Sequence, residues 1–181
     1  MDSLRGQLLI ASPILVEPTF HRTVILVTEH VDDGAMGVVL NRPSESAVGE
    51  AVPELAELAG AENPVYVGGP VQKDALIVLA EFRDPGAAAT MVVADVGLVS
   101  AEMETADLVT ATRRARVFAG YAGWGPGQLE GELEEEAWIV EAPVPGELFA
   151  DDPETLWSDV LHRKGGRYAL LARMPLDPSL N

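Results

Sequence analysis

The stretch GYAGWGPGQLEGEL, residues 120–133, decides how the chain is read. Five of its fourteen residues are glycine, at 120, 123, 125, 127 and 131, with Tyr121 and Trp124 between them. Glycine loses the most backbone entropy on folding. Such a density makes sense only where the chain must turn at positive φ or let something come close, and Gly123 is expected to be held that way. The apolar run Val117-Phe118-Ala119 leads in as a strand. Pro126 suits the first turn of a helix, where its missing N–H costs nothing. Gln128 to Leu133 continue helically, with Glu130 and Glu132 near the positive end of the helix dipole. The stretch reads strand, glycine elbow, short acidic helix.

Working outward, Gln7–Ala11 and Thr23–Glu29 are apolar runs of strand length, the second β-branched and apolar on both faces at its centre. Asp32-Asp33-Gly34 is a hairpin signal, and Ala35–Leu40 returns as its second arm. Residues 46–59 are helical in part, with Pro53 in a first turn, Leu55 and Leu58 inward and Gly60 as the stop. Val65–Val67, Ala75–Ala80, Met91–Ala94, Gly97–Val99 and Trp138–Glu141 are short strands. Ser100 is placed as the cap of a helix over Ala101–Thr112 with a stripe of Met103, Ala106 and Val109. Asp152-Pro153 opens the clearest helix, which buries Leu156, Trp157, Val160 and Leu161 and stops at Gly165-Gly166. Tyr168–Ala172 is a last strand or a loose tail. Short strands with helices interspersed argue an α+β single domain over residues 1–181.

Four matches accompany the glycine stretch in order. They are LLIASP at 8–13 with TFHRTVILVTEH at 19–30, GAMGVVLNRP at 34–43, VYVGGPV at 65–71 and DPSLN at 177–181. Together the chain resembles the YqgE/AlgH family over nearly its whole length. The resemblance implies a coiled, partly barrel-like, mainly antiparallel sheet flanked by helices. It implies no settled activity, since the family is largely uncharacterised; AlgH-type members carry a transcriptional-regulator label.

The net charge of −17 repels phosphate backbones and anionic lipid. Direct nucleic-acid binding and membrane association are therefore not expected. Arg113, Arg114 and Arg116 are the basic cluster, and they read as a cationic helix C-terminus. With no cysteine, disulfides and thiol chemistry are excluded, and a cytoplasmic location is expected. Leu8–Val16 is apolar after Arg5 but is interrupted by Pro13 and too short to span a bilayer.

Candidate chemistry is sparse. Glu29, His30, Asp32, Asp33 and His21 could supply metal ligands, but no His-x-x-x-His or Glu-x-x-His pair occurs, so no metal and no cofactor is expected. Ser12, Thr19 and Thr23 lie near His21 in sequence, without a Gly-x-Ser-x-Gly elbow. The Glu130–Glu136 carboxylates read as a solvated face. Gly68-Gly69 after a strand, and Gly125-Pro126-Gly127 before a helix, are places where backbone N–H groups can hold an anion. The competing reading is that these glycines let backbones cross. Tyr121 and Trp124 could stack a ring or sit in the core. The expected site is a groove near the elbow, formed by Asn41, Gly68, Gly69, Tyr121, Gly123, Trp124, Gly127 and Gln128. Asn41 and Gln128 would orient a ligand there. The function expected is non-enzymatic binding of a small ligand or a protein partner. A hydrolase or transferase acting on a small anionic substrate is the alternative, and direct transcriptional regulation a third.

Overall fold

The first strand, β1 (Leu8–Ala11), is apolar at every position and fully buried. Successive side chains point to opposite faces, so Leu8 and Ile10 enter one core while Leu9 and Ala11 enter another. The same alternation runs through β2 (Val24–Val31), with Val24 and Leu26 against Ile25 and Val27. It continues in β3 (Gly34–Val39), with Val38 against Val39. The apolar-on-both-faces pattern therefore means a sheet covered on both sides. β2 and β3 pair antiparallel across Asp32-Asp33, from Val31↔Gly34 to Ile25↔Val39, as expected of the hairpin. The computed structural model describes residues 1–175; the DPSLN segment lies outside the described residues.

Beyond Asn41-Arg42 the chain adds β4 (Pro43–Ala47), which the sequence did not announce, because PSESA is polar and half exposed. Then come α1 (Val48–Ala51), a 3-10 turn at Pro53–Leu55 and α2 (Ala56–Ala59), stopped at Gly60. Next are β5 (Pro64–Val67), β6 (Val71–Phe82), and the hairpin of β7 (Thr90–Val93) with β8 (Val96–Leu98). The helix expected at Ala101–Thr112 is shorter: α3 spans Thr105–Ala111. Ser100 Oγ instead accepts the Glu102 N–H in a preceding turn at 3.2 Å. Leu108 is its buried residue, while Ala106 is exposed. It ends where the chain enters β9 (Thr112–Trp124), whose Thr112 pairs with Phe82. Arg113, Arg114 and Arg116 are thus strand residues and not a helix terminus. Pairing with β6 sets Glu81 opposite Arg114, and their side chains meet at 2.7 Å.

After the elbow come α4 (Gln128–Glu134) and β10 (Trp138–Glu141). α5 (Leu156–Lys164) buries Leu156, Trp157, Val160 and Leu161, the stripe its sequence dictates. Trp157 Nε1 donates to the Ala11 carbonyl at 2.9 Å, tying α5 to β1. The last element is a helix, α6 (Arg167–Leu171), in place of the expected strand or tail. Tyr168 and Leu171 pack on the main core beside α5, which gives a helical turn an apolar face to bury.

The strands form one mixed sheet in the order β10-β1-β2-β3-β9-β6-β8-β7, with β5 joining β4 to β9. All pairs are antiparallel except β5 with β9. The sheet coils but does not close; β10 and β7 remain its ends. The partly barrel-like expectation therefore stops at an open sheet. β9 is its spine, pairing with β6 along most of its length, with β5 at Phe118-Ala119 and with β3 at Ala122–Trp124. It changes partners at Gly120, where φ is +74°. Here Gly68-Gly69 cross over the β9 backbone. A Cβ on Gly69 would lie 2.1 Å from the Tyr121 carbonyl carbon, and one on Gly120 2.5 Å from the Gly69 oxygen. Only glycine allows that approach.

Candidate functional site

β9 carries the chain to Trp124, Gly125-Pro126 turn it, and Gly127 begins α4 in the left-handed conformation at φ +73°. Trp124 is core, only 6% exposed, and packs edge-on to Trp138 at 6.0 Å. Both indole N–H groups donate to one oxygen of Glu132, at 2.8 and 2.7 Å. Gln128 Nε2 donates to the other Glu132 oxygen at 3.2 Å, while Gln128 Oε1 accepts the Gly125 N–H at 3.0 Å. Burying a tryptophan usually requires a partner for its N–H, and here one carboxylate serves two. Reading Glu130–Glu136 as uniformly solvated missed this. The available signal was spacing: Trp124, Gln128 and Glu132 recur every four residues.

Glu130 is also engaged. His30 Nδ1 accepts the Leu4 N–H at 2.9 Å, which leaves the ring proton on Nε2 facing Glu130 Oε1 at 2.7 Å. A hydrogen bond from its own backbone amide, then His30, hold the Glu130 carboxyl below its ordinary value of 4.5. Glu141 is shifted the same way: burial alone would raise it, but Lys164 Nζ at 3.1 Å and Arg163 outweigh that. Both groups hold a proton more weakly folded than unfolded. The stability they contribute is present above the ordinary carboxyl pKa and is lost as pH falls through their depressed folded values. Urea midpoints are therefore expected to drop as pH falls below about 4.5, less so in Glu141→Gln. An unchanged slope in that variant would remove the ion pair from the account.

The residues expected to line one groove have other duties. Asn41 Oδ1 accepts the Val24 N–H at 3.0 Å and its Nδ2 donates to the Arg22 carbonyl at 2.8 Å, locking the entry of β2. It orients backbone, and Gln128 caps the elbow. Gly68 and Gly69 face the Gly120-Tyr121 backbone, and the Gly68 N–H donates to the Ala119 carbonyl at 2.9 Å. Tyr121 packs against the main core. Gly123 is exposed and does not have positive φ, contrary to expectation, because the turn falls at Gly120 and Gly127. Gly127 is open to solvent. His21 Nδ1 lies 3.1 Å from the Leu15 carbonyl oxygen, and Thr23 Oγ1 donates to the Phe20 carbonyl at 2.8 Å. Neither faces the other as a nucleophile–base pair. Among the described residues no three His, Asp or Glu side chains converge as metal ligands.

The cavities lie elsewhere. One, of about 620 Å³, opens between the end of α4, β10 and the α5–α6 corner. Its walls include Ile14, Leu133, Trp138, Tyr168 and Leu171, with Arg167 among its polar lining. The Ser12 hydroxyl, also in this wall, is buried without a partner. A smaller cavity of about 190 Å³ lies beneath β9, between Asn63, Tyr66, Arg116 and Asp151.

Comparison with known proteins settles the kinship. The profile of the AlgH-like family matches residues 8–169. The chain belongs to that family. A UPF0301 protein of Streptomyces coelicolor is 44% identical, covering all of this chain and 97% of its relative. One from Mycobacteroides abscessus is 45% identical, over 97% of this chain and 87% of the relative. A crystal structure of a Corynebacterium diphtheriae protein superposes with a TM-score of 0.87 at 26% identity, over 95% of this chain and 92% of that one. The solution structure of the AlgH protein of Pseudomonas aeruginosa gives 0.74 at 32% identity, over 96% and 95%. The kinship fixes the α+β fold with its open sheet, and the matched relatives carry no named activity. No helix among the described residues is long and apolar enough to cross a membrane.

Proposed function

We propose that this is a non-catalytic binding protein, and that its groove at the α5–α6 corner docks an apolar segment of a protein partner. The observation that carries the reading is the exposed apolar side chains on the segments that wall the groove. Ile14 is 61% exposed in the groove wall, Val16 next to it is 72% exposed, and Leu170 on α6 is 68% exposed. Val16 and Leu170 stand outside the cavity, so a small ligand filling it would leave both in water. An extended segment could cover them and place a side chain in the cavity. Large apolar side chains exposed beside a groove with a polar margin are the usual mark of such a contact. The function thus moves from the glycine elbow to the far end of the helix that the elbow launches. Direct duplex binding is disfavoured by the net charge, and Arg113 and Arg114 are already answered by Glu81 and Asp95.

The test uses exposed positions whose replacement leaves the core intact. Anilinonaphthalene sulfonate is expected to bind the native protein, and Ile14→Glu and Leu170→Glu to weaken it at least severalfold. Val31→Glu, on the distant hairpin, is expected to leave it unchanged. The same pattern is expected in pull-downs: a protein retained by wild type and Val31→Glu but lost from the other two. Equal dye binding by all four proteins would overturn the assignment.

A further inference from the structure

One face of the sheet is only half covered. Strand alternation puts Leu76 and Val78 of β6 on that face, and the register with β9 sets them beside Ala119 and Val117. β5 lies along the other side of β9, with Val67 paired to Ala119. Val67, Ala119 and Leu76 therefore make a row across three strands. α1 and α2, of four residues each, are too short to cover it all; Val65, Val78 and Val117 pack in a small core with Val48 and Ala59. The ends of the row stay in water, with Val67 42% and Leu76 46% exposed. At Leu76 the uncovered surface deepens into a groove of about 380 Å³, walled by residues 52–55 and 99–105 and lined by Met36, Leu55, Leu76, Val99 and Met103. Methionine suits surfaces that adapt to a partner's side chains.

The two walls are acidic without exception. Residues 48–59 carry Glu50, Glu54 and Glu57, residues 99–111 carry Glu102, Glu104 and Asp107, and neither segment has a Lys, Arg or His. All six carboxylates are exposed. Among the described residues none of them is in an ion pair, whereas Glu81, Glu130, Glu141 and Glu147 are all answered elsewhere. β6 adds Lys73 and Asp74, which cancel. A solvated acidic face accounts for these charges, but not for a half-exposed leucine between them. A cationic partner with an apolar face answers both features, since opposite charge steers it in and relieves the repulsion between the walls. β6 lies between β8 and β9 in the sheet, and no end strand borders the groove. A partner therefore has no strand edge to extend here, and recognition falls to side chains.

We propose that this groove docks a basic amphipathic helix of a partner protein. Apolar side chains at helical spacing enter between Leu55, Leu76 and Met103, and flanking Lys or Arg side chains meet Glu54, Glu102 and Glu104. The surface is separate from the groove at the α5–α6 corner, whose lining includes Lys164 and Arg167.

The probe is a fluorescein-labelled synthetic peptide of about 14 residues, with Leu at helical spacing and Lys elsewhere, read by fluorescence anisotropy. It is expected to bind wild type saturably. A scrambled peptide of the same composition, and one with Glu in place of Lys, are expected to bind about tenfold or more weakly. Leu76→Gln changes an exposed position and is expected to weaken binding severalfold. The triple variant Glu54→Gln, Glu102→Gln, Glu104→Gln is expected to weaken it by about tenfold, the scale of three exposed ion pairs, and to flatten its dependence on salt. The triple variant Asp2→Asn, Glu17→Gln, Glu134→Gln removes the same charge from other exposed positions and is expected to bind as wild type does. Ile14→Glu is also expected to bind as wild type does, so failure here and failure of the α5–α6 assignment are distinguishable. The proposal is overturned if the helical peptide does not saturate, if the scrambled peptide binds as tightly, or if the two triple variants weaken binding alike.

Discussion

Replacing Trp124 by alanine is expected to cost on the order of 3–5 kcal/mol, a large fraction of a typical domain's stability. Three losses add. The ring leaves a cavity between β9, α4 and β10, where Ala122, Leu129 and Trp138 pack with it. The edge-on contact with Trp138 disappears. Glu132 loses one of its two indole donors in a half-buried setting; Trp138 and Gln128 still donate to it, so this is the smallest of the three losses. Trp124→Phe restores most of the volume but not the N–H, so it should recover more than half of the cost. Urea melts of the two variants measure the split. An alanine variant as stable as wild type would show that the ring is dispensable, and would return Trp124 to the role of ligand platform.

Gly69→Ala is expected to be the most damaging single-methyl substitution in the chain. The added carbon would sit 2.1 Å from backbone atoms of Tyr121, and φ is +156°. Backbone cannot rotate aside as a flexible side chain can. Overpacking of roughly 1–3 kcal/mol combines with strain of roughly 1–3 kcal/mol, so the crossing should open before the methyl fits. Gly123→Ala is the control. Its φ is ordinary, and the new methyl would meet the Tyr121 ring at 3.5 Å, a normal contact. Its melting temperature should stay close to that of wild type. If the two variants melt alike, close backbone approach is not what keeps glycine at position 69.

The contrast between these glycines shows what can be read from sequence. Residues 120–133 announced that backbone had to come close somewhere, but not where. The close approach belongs to Gly69 and Gly120, which are far apart in the chain and meet only when β5 lies parallel to β9. The hairpin of β2 with β3 and the buried stripe of α5 were legible because each is local, fixed by alternation, turn chemistry or helical spacing. β4 was not, because its polar sequence is extended only by pairing with β5. The arginines were misplaced for a related reason. Nothing near them in sequence reveals Glu81, which the β6–β9 ladder brings alongside. The eight residues expected to form a site are mostly the joints of this sheet. Asn41 and Gln128 were chosen for their paired donors and acceptors, and they use both on the protein itself.

The path of the sheet also dictates the order in which the protein can be finished during synthesis. β1 takes β2 on one side and β10 on the other, so its outer edge waits for residues 138–141. β3 likewise waits for the last residues of β9. A nascent chain leaving the ribosome therefore displays an early apolar three-strand unit with two raw edges through most of translation. Such edges recruit other chains. The late segment bearing β10 and α5 is what caps the first, and a chain released before it would be a target for chaperones or for degradation.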